Sequence, residues 1–163
     1  VVNTGDDEEF YGLHVSPDLD TVTYTLAGAH NTDTGWGLAG ETWEAMKALD
    51  RLGGPAWFRL GDRDLGTHLF RTGRLAEGAG LTKVTSEITA AFGLEVRLLP
   101  MTEDPVTTRL TLAKGAQAGV EVDFQEWFVG LRHDVAQRGA GLSVPGLMYV
   151  VRVPGSTSVS EVP

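Results

Sequence analysis

The apolar positions of this chain mark out stripes at helical spacing between glycine-containing turns, with short strand-like runs among them. Val1-Val2-Asn3 reads as the end of a buried strand running into a polar loop, Thr4-Gly5-Asp6-Asp7. In α/β sheets such strand ends line the ligand crevice, although Gly5, Asp6 and Asp7 are also ordinary turn residues. A helix begins at Ser16-Pro17. Ser16 is placed as its N-cap, Pro17 suits the first helical position, and Asp18 and Asp20 suit the positive end of the helix dipole. Leu19, Val22 and Leu26 supply its apolar face up to Gly28. Asn31 to Gly40 is a loop in which Trp36 sits between two glycines, either as a lid for a flat ligand or as a plug at a core edge. From about Glu41 a second helix turns Trp43, Met46, Leu49 and Leu52 inward and ends at Gly53-Gly54.

The run Trp57 to Leu60 is aromatic and aliphatic and stops at Gly61, after which helical spacing resumes. Asp62 or Asp64 is expected to cap this helix, because a short carboxylate accepts the unpaired N–H groups of the first turn. Asp64, Thr67, His68 and Arg71 fall on one side, and Leu65 and Leu69 on the neighbouring side. Two readings stay open at this point. A strand-like run, a glycine turn and a helix start crowded with Asp, Arg and His suit a phosphate. The same residues also suit a well-capped amphipathic helix with a solvated polar face.

A further helix starts near Leu81, with Leu81, Val84, Ile88, Ala91 and Phe92 as its stripe, Thr82 as cap and Gly93 as stop. Glu95 to Leu99 reads as a strand. Val106 to Leu112 places Val106, Thr108, Leu110 and Leu112 on one face, and with Val120 to Trp127 it forms an expected β-hairpin. Phe124, Trp127 and Phe128 are candidates to flank a ring system, or simply core. From about Val135 the pattern loses its period. Residues 135–163 are expected to be a divergent or poorly ordered tail with one apolar patch at Leu147 to Val151.

Composition narrows the function classes. The chain has 163 residues, 42% of them hydrophobic, enough for one domain with a sizeable core. A net charge of -9 argues against a nucleic-acid binder, which usually carries a basic patch. It leaves room for an anionic ligand held by local arginines. With no cysteine, disulfides and thiolate metal sites are excluded. No apolar run is long enough to span a membrane and no signal-peptide pattern opens the chain, so a cytoplasmic protein is expected. The chain opens on Val1 rather than methionine, and a fragment lacking its first strand is expected.

Six motifs stand in order: Val-Asn-Thr-Gly-Asp-Asp (2–7), Ser-Pro-Asp-Leu-Asp-Thr (16–21), Gly-Trp-Gly-Leu (35–38), Leu-Gly-Asp-Arg-Asp-Leu-Gly-Thr-His-Leu (60–69), Leu-Leu-Pro-Met-Thr-Glu-Asp-Pro-Val (98–106) and Phe-Gln-Glu-Trp-Phe-Val (124–129). From Val1 to about Asp134 the chain resembles the 2-phospho-L-lactate transferases of coenzyme F420 biosynthesis, called phosphoenolpyruvate transferases in bacteria. The resemblance implies an α/β, Rossmann-like three-layer fold, here partial over 1–134. It implies transfer of a 2-phospholactyl or phosphoenolpyruvyl group from a GDP-linked donor to the deazaflavin FO with release of GMP, a requirement for magnesium, and a homodimer at full length.

Roles carry over only onto matching motifs. By resemblance, Asp20 contacts FO, Arg59 lies in the segment making a second FO contact, and Asp62, Arg63 and Asp64 lie near the phosphates. Asp20 is then the candidate base, with Arg63 and Arg59 as candidate neutralisers of phosphate charge. Trp36, His68, Phe124 and Trp127 complete the expected substrate-binding set. Asp6 and Asp7 are the expected magnesium ligands, with Asp62 as a further candidate. The Gly-rich first loop and the Ser-Asn-Pro nucleotide loop of the family have no counterpart here. Two alternatives therefore stand beside the enzyme. One is a non-catalytic nucleotide-sugar-binding regulator of the gluconeogenesis-factor type, whose helix start reads more like Gly-His-Ser-Leu-Gly-Asn. The other is an inactive truncated fragment.

Overall fold

A computed structural model of the chain describes residues 1–55, 57–112, 120–125 and 147–152. They fall into two compact units, Val1–Glu103 and Asp104–Pro163. The first unit holds a hairpin of β1 (Glu8–Phe10) and β2 (Leu13–Val15), then four helices: α1 (Pro17–Leu26), α2 (Glu44–Arg51), α3 (Asp62–Ala76) and α4 (Leu81–Ala91). The hairpin is antiparallel, pairing Glu8 with Val15 and Phe10 with Leu13. Its two-residue turn, Tyr11-Gly12, has both residues at positive φ, 56° and 75°. That twist matches the twist of the flanking strands. Tyr11 is held in this unfavourable conformation by its hydroxyl, which donates to the Phe58 carbonyl at 2.7 Å.

Two apolar clusters hold the first unit. Val2, Leu19, Leu81 and Leu98 form one, with Val22 and Leu75 against it. Phe10, Val15, Met46 and Leu60 form the other, with Leu13, Trp43, Leu49, Phe58 and Leu65 around it. Each fully buried Leu, Val or Phe contributes about 1.5–3 kcal/mol. Phe10 and Phe58 stack with ring centroids 3.8 Å apart.

Several expectations change. The strands expected at Val1–Asn3 and Glu95–Leu99 reduce to one parallel bridge, Val2 to Pro100. It is made by Val2 N–H to the Leu99 carbonyl and Met101 N–H to the Val2 carbonyl, both 2.8 Å. Trp57 to Leu60 is irregular chain whose aromatic rings pack on Phe10. Leu26 and Leu52, expected inside, are 53% and 85% exposed. Both stand at the very ends of α1 and α2, where a periodic stripe runs past the elements it packs on. Ser16 is the N-cap of α1, but its hydroxyl makes no cap bond and donates to Asp7 instead. Gly80, not Thr82, is the N-cap of α4, and the Glu103 carboxylate accepts the Thr82 N–H at 3.1 Å. Among the described residues no helix is long and apolar enough to cross a membrane.

In the second unit β3 (Thr107–Leu112) is the middle strand of an antiparallel sheet in the order β4–β3–β5, with β4 at Glu121–Asp123 and β5 at Leu147–Arg152. The expected hairpin is the β3–β4 pair, with Arg109 opposite Asp123, and these two side chains form an ion pair at 3.2 Å. Val106, Thr108 and Leu110 are buried, as their alternation predicts. The apolar patch at Leu147 to Val151 lies within β5, where Leu147 pairs with Leu112 and Arg152 with Thr107. Trp127, Phe128 and the remainder of the expected tail lie outside the described residues. The described chain thus combines helices with small antiparallel strand pairs, as a partial α/β fold would.

Candidate functional site

Helix α3 carries the site. Its polar stripe, Asp64, Thr67, His68 and Arg71, points into the unit, and Thr67, His68 and Arg71 are buried. Leu69 and Phe70 point out, 59% and 44% exposed. The solvated polar face expected of an ordinary amphipathic helix is therefore reversed. What receives the stripe is the inner side of α1, whose Asp20 and Tyr24 are 5% and 1% exposed.

These side chains form one connected network. The Arg71 guanidinium grips both oxygens of Asp20, Nη2 on Oδ1 and Nη1 on Oδ2. Nη1 also lies 3.3 Å from the His14 carbonyl and 3.3 Å from His68 Nδ1. A guanidinium only donates, so Nδ1 of His68 is the acceptor and the ring proton sits on Nε2. That nitrogen faces Asp64 Oδ2 at 3.3 Å, off the line of a formed hydrogen bond. The Tyr24 hydroxyl donates to Asp64 Oδ1 at 2.5 Å and lies 2.9 Å from the Thr67 hydroxyl. Burial pushes the Asp20 carboxyl above its ordinary value, with Arg71 pulling against it. Burial acts the same way on Asp64, but the His68 ring beside it, the Tyr24 bond and the charge of Arg71 prevail and hold it low. Burial would weaken the Arg71 cation, yet Asp20 outweighs it and keeps the group charged.

A second arrangement closes the front of α3. Gly61 is its N-cap, and the Glu41 carboxylate accepts the N–H groups of Arg63 and Asp64 at 2.8 and 2.9 Å. Asp62 returns the service to α2, accepting from Glu44 N–H at 2.9 Å, Ala45 N–H at 3.0 Å and the Thr42 hydroxyl at 2.6 Å. These bonds, Thr42 first, hold its carboxyl below the usual range. Neither Asp62 nor Asp64 caps α3, because Glu41 already fills that position. The first-turn N–H groups that suit a phosphate are the ones Glu41 occupies.

The expected site residues therefore separate. Asp20, Asp64 and His68 come together. Asp62 faces α2, and the Arg63 guanidinium bonds the Ala39 carbonyl near the surface. Arg59 lies over the Trp43 ring, 5.3 Å from its centroid. Trp36 is 52% exposed and lines a shallow hollow with Asn31, Glu41, Trp43 and Asp64. Phe124 is half-buried in the second unit, directly after β4. Asp6 is half-buried and Asp7 buried. Asp7 Oδ2 takes the Ser16 hydroxyl at 2.8 Å and His14 Nε2 at 3.1 Å, while its Oδ1 has no partner. Arg71 and Tyr24, absent from the expected set, hold the cluster together. Their signal in the sequence is spacing: Tyr24 is one turn on from Asp20, and Arg71 one turn on from His68.

Among the described residues, Asp20, Asp64 and His68 also offer three ligand atoms within 4.8 Å of one another. Magnesium prefers oxygen donors, and here one donor is an imidazole and one carboxylate is already gripped by a guanidinium. The unpartnered Oδ1 of Asp7 is the better match for that ion.

Comparison with known proteins agrees with the six motifs. The chain is 48% identical over 132 residues to a phosphoenolpyruvate transferase of Kitasatospora aureofaciens, covering 79% of this chain and 40% of that protein. It is 46% identical over 136 residues to the phosphoenolpyruvate transferase of Thermobifida fusca, covering 82% and 41%. Against that of Mycobacterium tuberculosis it is 44% identical over 137 residues, covering 83% and 41%. The chain thus spans about two fifths of the length of these curated relatives. The family model of 2-phospho-L-lactate transferase CofD matches residues 1–147, past Asp134, where the resemblance was expected to end, and the chain belongs to that family.

Proposed function

We propose that this chain carries the acceptor side of a transferase of coenzyme F420 biosynthesis. The reaction moves a 2-phospholactyl or phosphoenolpyruvyl group from a GDP-linked donor to FO. Family membership and the names of the relatives support the transferase. The observation that carries the acceptor role is Asp20, a buried carboxylate on the inner side of α1, gripped by Arg71 beside Asp64 and His68. A structural ion pair is more cheaply placed at a surface, and a perturbed buried acid of this kind marks a functional site.

The terminal ribityl hydroxyl of FO attacks the donor phosphorus that bears lactate or enolpyruvate. A new P–O bond forms, the bond to GMP breaks, and the hydroxyl proton passes to Asp20. Arg71 takes one lone pair of each Asp20 oxygen, which leaves two to accept that proton. A carboxyl raised by burial yet still paired with a cation is a stronger base than an exposed one. Such transfers depend on positioning and charge neutralisation more than on covalent help. Arg63 and Arg59 supply positive charge at the surface, and Arg63 must release the Ala39 carbonyl to reach a phosphate. Asp7 Oδ1, with Asp6 beside it, would hold magnesium, which would supply charge neutralisation on the diphosphate. Trp36 and Trp43 offer rings for the deazaflavin. The whole enzyme is read as Rossmann-like, homodimeric and cytoplasmic.

The purified chain is expected to quench FO fluorescence on titration, and Asp20→Asn to weaken binding at least about tenfold, roughly 1.4 kcal/mol. In a full-length relative the matching Asp→Asn change is expected to lower turnover more than about a hundredfold, within the range of a lost general base. Turnover kept within about tenfold would remove the base role.

A further inference from the structure

Arg71 touches no substrate in the proposed transfer, yet it is among the most deeply buried side chains of the described residues. We propose that Arg71 is a positioning residue: it holds Asp20 ionised and in a single orientation, and His68 stands between that pair and Asp64 at the start of α3. This rests on the reading of Asp20 given above.

Geometry carries it. Two parallel bonds from a planar guanidinium match a carboxylate in only one relative plane, so the Asp20 carboxylate cannot rotate without losing one of them. The guanidinium is itself fixed by the His14 carbonyl and by His68 Nδ1. His68 stands between this group and Asp64, its Nε2 3.3 Å from Asp64 Oδ2. Charge points the same way. Asp20 and Asp64 are two buried or half-buried acids, and Arg71 is the cation bonded between α3 and α1. Without it, a buried Asp20 has no full positive partner and neutralises itself by taking up a proton.

A purely structural role is a poor account of this design. Helix α3 buries Thr67, His68 and Arg71 and leaves Leu69 and Phe70 exposed, the reverse of what folding alone favours. Replacing a buried ion pair by apolar residues of similar volume is often neutral or stabilising. The polar interior is thus kept for what it does to Asp20.

The test uses this chain as it stands, with Arg71→Met, Arg71→Lys, Asp20→Asn and the Arg71→Met/Asp20→Asn pair. The direct readout is NMR at pH 7, with the Asp20 side-chain carboxyl labelled with carbon-13 and the His68 ring with nitrogen-15. Wild type is expected to show an ionised Asp20 and the His68 proton on Nε2. Arg71→Met is expected to protonate Asp20 and free the His68 tautomer, and Arg71→Lys to restore the ionised carboxyl. If Arg71→Met fails to fold cooperatively, Arg71→Gln, polar and neutral, takes its place. An Asp20 signal unchanged by loss of the cation overturns the proposal. The functional readout is FO titration. Arg71→Met is expected to weaken FO binding about tenfold or more when Asp20 is present and less than about twofold in the Asp20→Asn background. Equal losses in both backgrounds show that Arg71 does not act through Asp20. If wild type itself fails to bind FO, the acceptor reading falls, and the NMR arm still decides whether Arg71 holds Asp20.

Discussion

Gly61 shows how one residue sets the front of the site. A β-carbon there would lie 2.2 Å from the Glu41 carboxyl carbon and 2.5 Å from one of its oxygens. Gly61→Ala therefore drives Glu41 off the start of α3 and leaves the Arg63 and Asp64 N–H groups uncapped. The expected cost is that of a lost helix cap, about 0.5–2 kcal/mol, read as a lower urea midpoint. Glu41→Ala should cost a similar amount, and the double variant little more than either, because both remove the same bonds. Additive losses would show that Gly61 matters for another reason. Local pattern made Gly61 legible only as a stop before a helix. A capping carboxylate twenty positions earlier leaves no mark in the periodicity around residue 61, so Asp62 and Asp64 were the natural local candidates. Arg71 was equally hidden. It stood on the right stripe, but nothing in the stripe says that its partner is Asp20, fifty-one positions away.

At the scale of elements, α3 was legible as a helix with its polar stripe, but not the direction in which that stripe points. Periodicity gives the angle between Arg71 and Leu69; only the elements packed around the helix decide which side is inside. Here α1 offers Asp20 and Tyr24, and they draw the polar side in. This makes the outer side of α3 tolerant. Leu69→Gln and Phe70→Gln are expected to change stability by no more than about 0.5 kcal/mol, as exposed substitutions do. His68→Leu, on the inner side, takes the acceptor from Arg71 and the partner from Asp64 and is expected to cost about 1–3 kcal/mol. Chemical denaturation of the three variants distinguishes the sides; a Leu69→Gln loss comparable to that of His68→Leu would contradict the reversed packing. The β1–β2 hairpin escaped the pattern for a different reason. Its strands have three residues each, too short to show alternation, and its turn places Tyr11 where glycine or asparagine is usual. The β3–β4 pair was legible because Val106, Thr108 and Leu110 alternate with polar residues over a longer run.

For the whole molecule, 22 acidic against 13 basic side chains give the net charge of -9, and several of those acids are structural. Asp62, Asp64, Glu87 and Glu103 all have carboxyls held below their ordinary values, by caps or by arginine and histidine partners. An acid depressed in the folded state contributes stability that is complete above its unfolded pKa, about 3.9–4.3. That stability is lost as pH falls through the lower, folded value. Asp20 has the opposite sign, because burial raises it: its folded state favours the proton, so acidification through its raised value adds stability rather than removing it. Below about pH 4 the four depressed acids give up their contributions while Asp20 works against that loss. Asp62→Asn isolates one contribution. Asparagine removes the charge and keeps one of the two acceptor oxygens, enough for the Thr42 and Glu44 donors but not for Ala45 N–H as well, so wild type should be the more stable protein at pH 7. The gap should close as pH falls below about 4, where wild-type Asp62 is itself becoming neutral. Urea midpoints for both proteins from neutral to acid pH measure it. A gap that persists undiminished at the acid end would mean that Asp62 holds α2 through shape rather than charge.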